Sequence, residues 1–335
     1  MFRQIWVHPE DQPLQKIVWR DSPSQKIQEY QLTTVTYGTK AAPFLAMMTL
    51  RQLAVDERDK FPEAAKVIEE SFYMDDLVHG TCCLSAAQQL QQDLMDLLKL
   101  GGFNLRKWTS NDSRLLKQED QDYYTQESKS FKQSGLTKTL GLQWNPTKDN
   151  FTFVSKIEPS KTNTIISKRT ILSDMSKIFD PLGWIVPVTT KLKILFQETW
   201  LLNLQWDEQV PDKISKEWLT IKVELESINQ FKIPRWYGTE TASNVELHGF
   251  CDASTKAYAC VIYCRIRNSN HSTILVAAKS KLVPTKKQIS LPRLELCGAL
   301  LLAKLMSKVK LCLAEHDLHI FGWSDSTAVL GWLQA

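Results

Sequence analysis

The strongest constraint on this chain is a pair of adjacent carboxylates, Asp75 and Asp76, set inside Ser71-Phe72-Tyr73-Met74-Asp75-Asp76-Leu77-Val78-His79-Gly80. Apolar residues flank the pair, so the stretch reads as a hairpin with two anionic groups at its turn. Two like charges at hydrogen-bonding distance destabilise each other, and partial burial beside aromatics adds to the cost. A solvated Asp-Asp turn answers this with water, since Asp is a common turn residue. A divalent cation answers it with charge, and oxygen ligands select magnesium or manganese.

At 335 residues the chain has room for about two domains with substantial cores. Its 43% hydrophobic and 23% charged composition is that of a globular protein, and its net charge of +4 tolerates a polyanionic partner without requiring one. Seven cysteines, at 82, 83, 251, 260, 264, 297 and 312, show neither the short paired spacings of a zinc site nor the even count of a secreted disulfide framework. Reduced thiols in a cytosolic setting are the simplest account. No uncharged run is long enough to cross a bilayer, and the first residues lack the basic-then-apolar order of a signal peptide. The expectation is a soluble intracellular protein with no membrane contact.

Residues 4–8 and 14–19 read as short strands around a Pro- and Asp-containing turn, and 30–35 as another. Pro43 opens a helix carrying Phe44, Met47, Met48, Leu50, Leu53 and Ala54. A second helix, 63–70, precedes the Asp75-Asp76 hairpin. Ser85 reads as the N-cap of a third, with Leu90, Leu94, Leu97 and Leu98 on one stripe and Gly101-Gly102 as its stop. This succession suits a small antiparallel sheet backed by helices, the α+β layout. From 156 to about 240, Pro159, Pro181, Pro187, Pro211 and Pro234 punctuate short helical runs such as 189–202, marking a connecting region. From Val245 the order becomes three strands, a helix and a strand, and the chain ends inside a new helix at Gln334-Ala335.

In that last part, three acidic residues fall at the ends of elements. Asp252 closes an alternating strand, 246–251, and is followed by Ala253-Ser254. Glu295 lies in the first turns of a helix begun near Pro292. Asp325 closes the strand 319–323 and precedes Ser326-Thr327. Taken singly, these are a strand-end turn, a partner for a helix dipole and an N-cap.

Taken together, the motifs resemble the Pol polyprotein of Bel/Pao-type LTR retrotransposons over essentially the whole chain. Tyr73-Met74-Asp75-Asp76 looks like the reverse transcriptase signature. Met1-Phe2-Arg3-Gln4-Ile5 is similar to the tail of that family's first catalytic motif, whose Asp would fall just before Met1. Leu32-Thr33-Thr34-Val35-Thr36-Tyr37-Gly38, followed by Ala42-Pro43-Phe44, resembles the segment beneath the templating base and nucleotide. Gly101 to Trp108 looks like the loop whose Lys approaches the triphosphate, and Leu140-Gly141-Leu142-Gln143-Trp144 like the hairpin that grips the primer. The order Asp-Ala-Ser, Leu-Glu-Leu, Ser-Asp-Ser around Asp252, Glu295 and Asp325 resembles RNase H. Lys168 to Leu172, Ile178 to Gly183 and Trp206-Asp207-Glu208 resemble the linker of the same polyproteins.

The resemblance implies an α+β fold with a reverse transcriptase palm and thumb over 1–155, a connection region over 156–240 and a truncated RNase H-like mixed sheet with helices over 241–335. The implied activities are RNA-directed DNA polymerase and ribonuclease H, through two-metal phosphoryl transfer with Mg2+ or Mn2+. Asp75 and Asp76 are the implied catalytic and metal-binding residues of the first activity, and Asp252, Glu295 and Asp325 those of the second. Phe2, Tyr37, Gly38, Tyr73, Met74, Lys107, Leu142 and Trp144 would contact nucleotide or primer, with Phe2 excluding a 2′-hydroxyl and Lys107 neutralising the triphosphate. The implied partners are an RNA or DNA template-primer, deoxynucleoside triphosphates, an RNA/DNA hybrid and the remainder of the Pol polyprotein. The implied setting is a cytoplasmic virus-like particle or the nucleus. In that family a further carboxylate and a mobile His follow the position of Asp325, beyond the last residue of this chain. The isolated fragment is accordingly expected to be inactive, and two other readings remain open: a non-enzymatic remnant that keeps the fold and nucleic-acid affinity, and RNase H activity alone.

Overall fold

In the computed structural model, residues 1–116, 137–153, 157, 165–238, 244–267, 273–285, 288–313 and 316–335 are described. They fall into two compact units, Met1–Leu140 and Gly141–Ala335.

The first unit is built on the helices α1 (Ala42–Asp56), α2 (Pro62–Ser71) and α3 (Leu84–Leu100). Proline in the first turn starts α1 and α2, where a missing N–H costs nothing. Ala46, Leu50 and Ala54 of α1 meet Ala64, Ala65 and Ile68 of α2 and Leu94, Leu97 and Leu98 of α3 in one core. The alanines let the helices approach closely, and Phe44 and Met48 turn outward, 66% and 42% exposed. The stripe expected on α1 therefore buries at Leu50 and Ala54 but not at its bulkiest members. The third helix is capped at Cys83 rather than at Ser85. Strands β1 (Lys16–Trp19) and β2 (Gln28–Gln31) pair antiparallel. Residues 4–8, read as a strand, instead hold the end of a 3-10 turn and an isolated bridge from Trp6 to Thr34. The Asp75-Asp76 hairpin is present: β3 (Phe72–Tyr73) and β4 (Asp76–Leu77) pair Tyr73 with Asp76. The last described strand of this unit is β5 (Thr137–Thr139).

In the second unit, β6 (Leu142–Asn145), β7 (Asn150–Thr152) and β8 (Lys232–Pro234) run antiparallel in that order. Helices α4 (Lys168–Met175), α5 (Val186–Leu201) and α6 (Asp212–Glu224) share a core of Ile171, Leu192, Leu195, Ile214 and Trp218. Lys168, only 3% exposed, sits 3.9 Å over the Trp200 ring and donates to Leu204 O at 2.7 Å.

The larger sheet orders β11 (Thr273–Leu282), β10 (Ala257–Ile266), β9 (Asn244–Ala253) and β12 (Asp317–Trp323). Alternate residues of β10, Cys260, Ile262, Cys264 and Ile266, are buried, and the first three join a core with Leu301, Leu302 and Met306 of α7 (Leu291–Cys312). The opposite face carries Phe250, His248, Phe321 and Trp323, with Trp323 stacked on both His248 and Phe250. The terminal helix α8 (Thr327–Gln334) begins at an N-cap, Ser326, whose hydroxyl accepts from Val329 N–H.

The helical layer is clasped onto β11. Leu182 O accepts from Ala278 N–H at 2.8 Å and the Trp184 indole donates to Val276 O at 2.9 Å. Gly183 makes this approach possible, because a Cβ there would lie 1.9 Å from Ala278 O and its φ is +75°.

Candidate metal centre

Asp252, Glu295 and Asp325 come together at one end of the larger sheet. β12 runs parallel to β9 with Trp323 opposite Phe250, so two residues further along the same register Asp325 arrives beside Asp252. Glu295 comes from the first turns of α7, which packs on β9 and β10. One turn later, Gly298 presents no side chain to the sheet; a Cβ there would sit 3.4 Å from Asp252 O. That is ordinary van der Waals contact, so the start of α7 lies against the sheet without requiring glycine at this position. The tighter approach is at Gly249 of β9, which the sequence motifs did not single out: a Cβ there would lie 2.5 Å from Leu302 Cδ1 and 2.6 Å from Met306 Cε of α7.

The three side chains each offer a carboxylate oxygen, and these oxygens lie within 4.8 Å of one another. Among the described residues they form the one such group of three. The aspartates are exposed, while Glu295 is 9% exposed and its Oε2 is buried without a hydrogen-bond partner. Burial pushes the Glu295 carboxyl above its ordinary range, the charges of Asp252 and Asp325 push it further, and a hydrogen bond from Ala253 N–H opposes them. Ala253 N–H also donates to Asp252 Oδ1 at 2.7 Å, which orients that carboxylate. The Cys251 thiol behind the cluster is likewise pushed up, mainly by burial.

Leaving a buried carboxylate oxygen unpaired beside two anions is costly. A cation removes that cost, and three oxygen donors with no nitrogen or sulfur fit a hard divalent ion such as Mg2+ or Mn2+. The side chains present therefore fit the metal that the sequence motifs imply.

The other implied site residues are more dispersed. Asp75 and Asp76 are exposed at the hairpin turn, and among the described residues no third acidic or ligating side chain forms a group with them. Met74 holds the turn in the left-handed region, φ +59°, and its N–H points to Met47 Sδ at 3.1 Å. Tyr73 and Tyr37 are exposed, and Gly38 is left-handed with open space where a Cβ would be. Phe2 is half-buried against the core of the first unit, and Lys107 is an exposed residue with φ +63°. Leu142 and Trp144 fall in the second unit. Leu142 packs against the cluster of Phe153 and Trp184, and the Trp144 indole donates to Asp149 Oδ1 at 3.0 Å with the Arg235 guanidinium 5.9 Å from its ring.

Residues 167–326 match the family model of the Pao retrotransposon-like RNaseH-like domain. No curated protein matches the chain. Among solved structures, the chain is similar to the foamy viral protease-reverse transcriptase dRH in complex with ds DNA, at 12% identity and a TM-score of 0.52, over 98% of this chain and 49% of that one. It is also similar to the foamy viral protease-reverse transcriptase in complex with dsDNA, at 13% identity and a TM-score of 0.53, over 98% of this chain and 58% of that one. The chain thus spans about half the length of these structures. At this identity the likeness concerns the fold: mixed helices and strands, RNase H-like in the matched region. Among the described residues no helix is long and apolar enough to cross a membrane.

Proposed function

We propose that this chain is a reverse transcriptase and RNase H segment of a retrotransposon Pol protein, and that its second unit cleaves the RNA strand of RNA/DNA hybrids at Asp252, Glu295 and Asp325. The observation that carries the reading is the convergence of three carboxylates from a strand, a helix and a strand end, with one buried oxygen left unpaired. The foamy viral relatives are complexes with double-stranded DNA, which supports a nucleic-acid duplex as substrate class here.

Asp252 and Asp325 face solvent and meet the substrate, while buried Glu295 holds the inner side of the site. Three clustered negative charges repel a phosphodiester, so nucleic acid enters productively only with cations at the same oxygens. When bound there, divalent ions supply activation of water and charge stabilisation at the scissile phosphate. Ala253 N–H keeps the Asp252 carboxylate turned to the cluster.

For the first unit the proposed activity is RNA-directed DNA synthesis on a template-primer with deoxynucleoside triphosphates, with Asp75 and Asp76 presented at the hairpin turn. It would need the remainder of the Pol protein. The competing reading is a remnant that binds nucleic acid without chemistry, and the solvated Asp75-Asp76 turn, with no third ligand among the described residues, favours it for that unit taken alone.

The test is release of a labelled RNA fragment from an RNA/DNA hybrid by the full chain in Mg2+. The Asp252→Asn chain, folded by circular dichroism, is expected to release none. Equal release by both chains would refute the assignment, and binding without release by the wild-type chain would favour the remnant.

A further inference from the structure

Along β9 every second residue, Glu246, His248, Phe250 and Asp252, lies on one face of the sheet, and β12 in parallel register sets His319, Phe321 and Trp323 beside the first three. A line of side-chain contacts therefore runs from Glu246 toward the carboxylate cluster. Trp323 is its last link before Asp325. The Trp323 indole N–H reaches back to His248 Nδ1 at 3.3 Å, and its ring stacks on His248 and Phe250. His248 also stacks on Phe321 and places Nε2 3.3 Å from Glu246 Oε2.

These contacts fix the tautomer of the histidine. An indole N–H only donates, so Nδ1 must keep its lone pair, and the proton sits on Nε2, where it is donated to Glu246. Glu246 is 5% exposed and also meets Arg267 at 3.0 Å and Arg265 at 3.5 Å. The His248 hydrogen bond first, then the two arginine charges, hold its carboxyl below its ordinary range against the cost of burial. The acceptor for Trp323 is thus braced from behind by a paired, buried anion.

Asp325 needs such an anchor more than Asp252 does. Asp252 belongs to β9, an inner strand, whereas Asp325 lies two residues past the end of β12, an outermost strand of the described sheet. Only Ser324 and Asp325 separate Trp323 from Ser326, the N-cap of α8. The Trp323 carbonyl is held by the Cys251 thiol at 3.5 Å, a weak donor, so the indole is the stronger side-chain tie on that segment.

We infer that His248 is a positioning residue for Asp325: as a neutral Nδ1 acceptor it fixes Trp323, and through Trp323 it holds Asp325 beside Asp252 and Glu295 for a shared divalent cation. This rests on the nuclease reading above.

The experiment follows Mn2+ binding to the full chain by the paramagnetic resonance of the free ion, counting the binding that Asp252→Asn abolishes. Hybrid cleavage in Mg2+ and the indole N–H cross-peak that Trp323→Phe deletes from the spectrum of isotope-labelled chain are recorded beside it. His248→Phe keeps the stacked ring without the acceptor, and His248→Asn sets an oxygen near the place of Nδ1. A net hydrogen bond is worth roughly 5-fold in an equilibrium, so His248→Phe and Trp323→Phe should each weaken Mn2+ binding ~5-fold and the double variant no further. His248→Asn should restore wild-type affinity. Wild-type affinity in His248→Phe, or losses that add in the double variant, overturn the inference. Should His248→Phe not fold, the wild-type chain decides, because acidifying from about pH 8 to about pH 5 puts a proton on Nδ1 and should shift the Trp323 cross-peak; a fixed cross-peak overturns the inference. Among the described residues the charged and titratable groups about the ring are Glu246, Tyr263 and Arg265 on β10, Arg267 beyond it and His319 on β12, and the indole donates to His248 alone. If His248→Phe loses affinity in a chain that never cleaves hybrid, the inference stands and the nuclease reading falls. If the wild-type chain cleaves and His248→Phe binds and cleaves equally well, the inference falls and the nuclease reading stands. Mn2+ binding untouched by Asp252→Asn overturns both.

Discussion

Replacing Glu295 by Gln should stabilise the metal-free chain and remove its response to magnesium. Glu295 shares a site with two aspartates whose oxygens lie within 4.8 Å. At that separation a pair of unit charges costs about 0.9 kcal/mol in bulk water and about 3.5 kcal/mol at an effective dielectric of 20. Because the aspartates are exposed, a value near the lower limit applies, about 1 kcal/mol for each of two pairs. Removing the central charge is worth ~2 kcal/mol, or roughly 4–8 °C in midpoint for a unit of this size. The pH sign follows from the raised carboxyl. The folded chain binds a proton that the unfolded chain has released, so stability falls as pH rises from the ordinary glutamate value of 4.5 through the folded one. The Glu295→Gln chain lacks that slope, and its new amide can donate a hydrogen bond to either aspartate. The assay is thermal unfolding of both full-length chains by circular dichroism, in EDTA and in Mg2+, at several pH values from 4.5 to 8. Magnesium should raise the wild-type midpoint and leave the Glu295→Gln midpoint nearly unmoved. A variant less stable than wild type in EDTA, or wild-type stability that climbs with pH through this range, would refute the electrostatic reasoning.

Gly183→Ala forces a Cβ onto Ala278 O and an alanine into the left-handed region, so a loss of about 3 kcal/mol in chemical denaturation is expected; a loss below ~1 kcal/mol would mean the clasp relaxes freely. Lys168→Ala removes the group that donates to Leu204 O and fills the space over Trp200, and should cost ~2 kcal/mol, whereas Lys168→Met keeps the packing and should cost less; the reverse ranking in urea melts would contradict this. Asp75→Asn, at an exposed turn, should leave stability within about 0.5 kcal/mol and hybrid cleavage intact, and loss of cleavage in the folded variant would argue against two separate sites.

The convergence of Asp252, Glu295 and Asp325 was foreshadowed because each stands where an element ends or begins, and parallel pairing of β9 with β12 turns two of those sequence positions into neighbours. Their protonation behaviour was not legible. It depends on how deeply Glu295 is buried where α7 settles on the sheet, which no local pattern encodes. The extent of α1 was readable from Pro43 and the apolar run after it. Its buried face was not, because Ala46 and Ala54 meet Ala64 and Ala65 on a helix whose orientation no local pattern encodes. Lys168 is a similar case: a cation opening a helix reads as a solvated group, and only the return of the chain at Trp200 and Leu204 encloses it.

The clasp of Leu182 and Trp184 on β11 also bears on how the sheet avoids pairing with other chains. β11 is an outermost strand, and outermost strands offer unpaired amides and carbonyls to any neighbouring chain. Here Ala278 N–H and Val276 O, on that open side, are taken by the segment leading into α5. A sheet expressed without residues 165–238 would expose them again, and intermolecular strand pairing would compete with its folding.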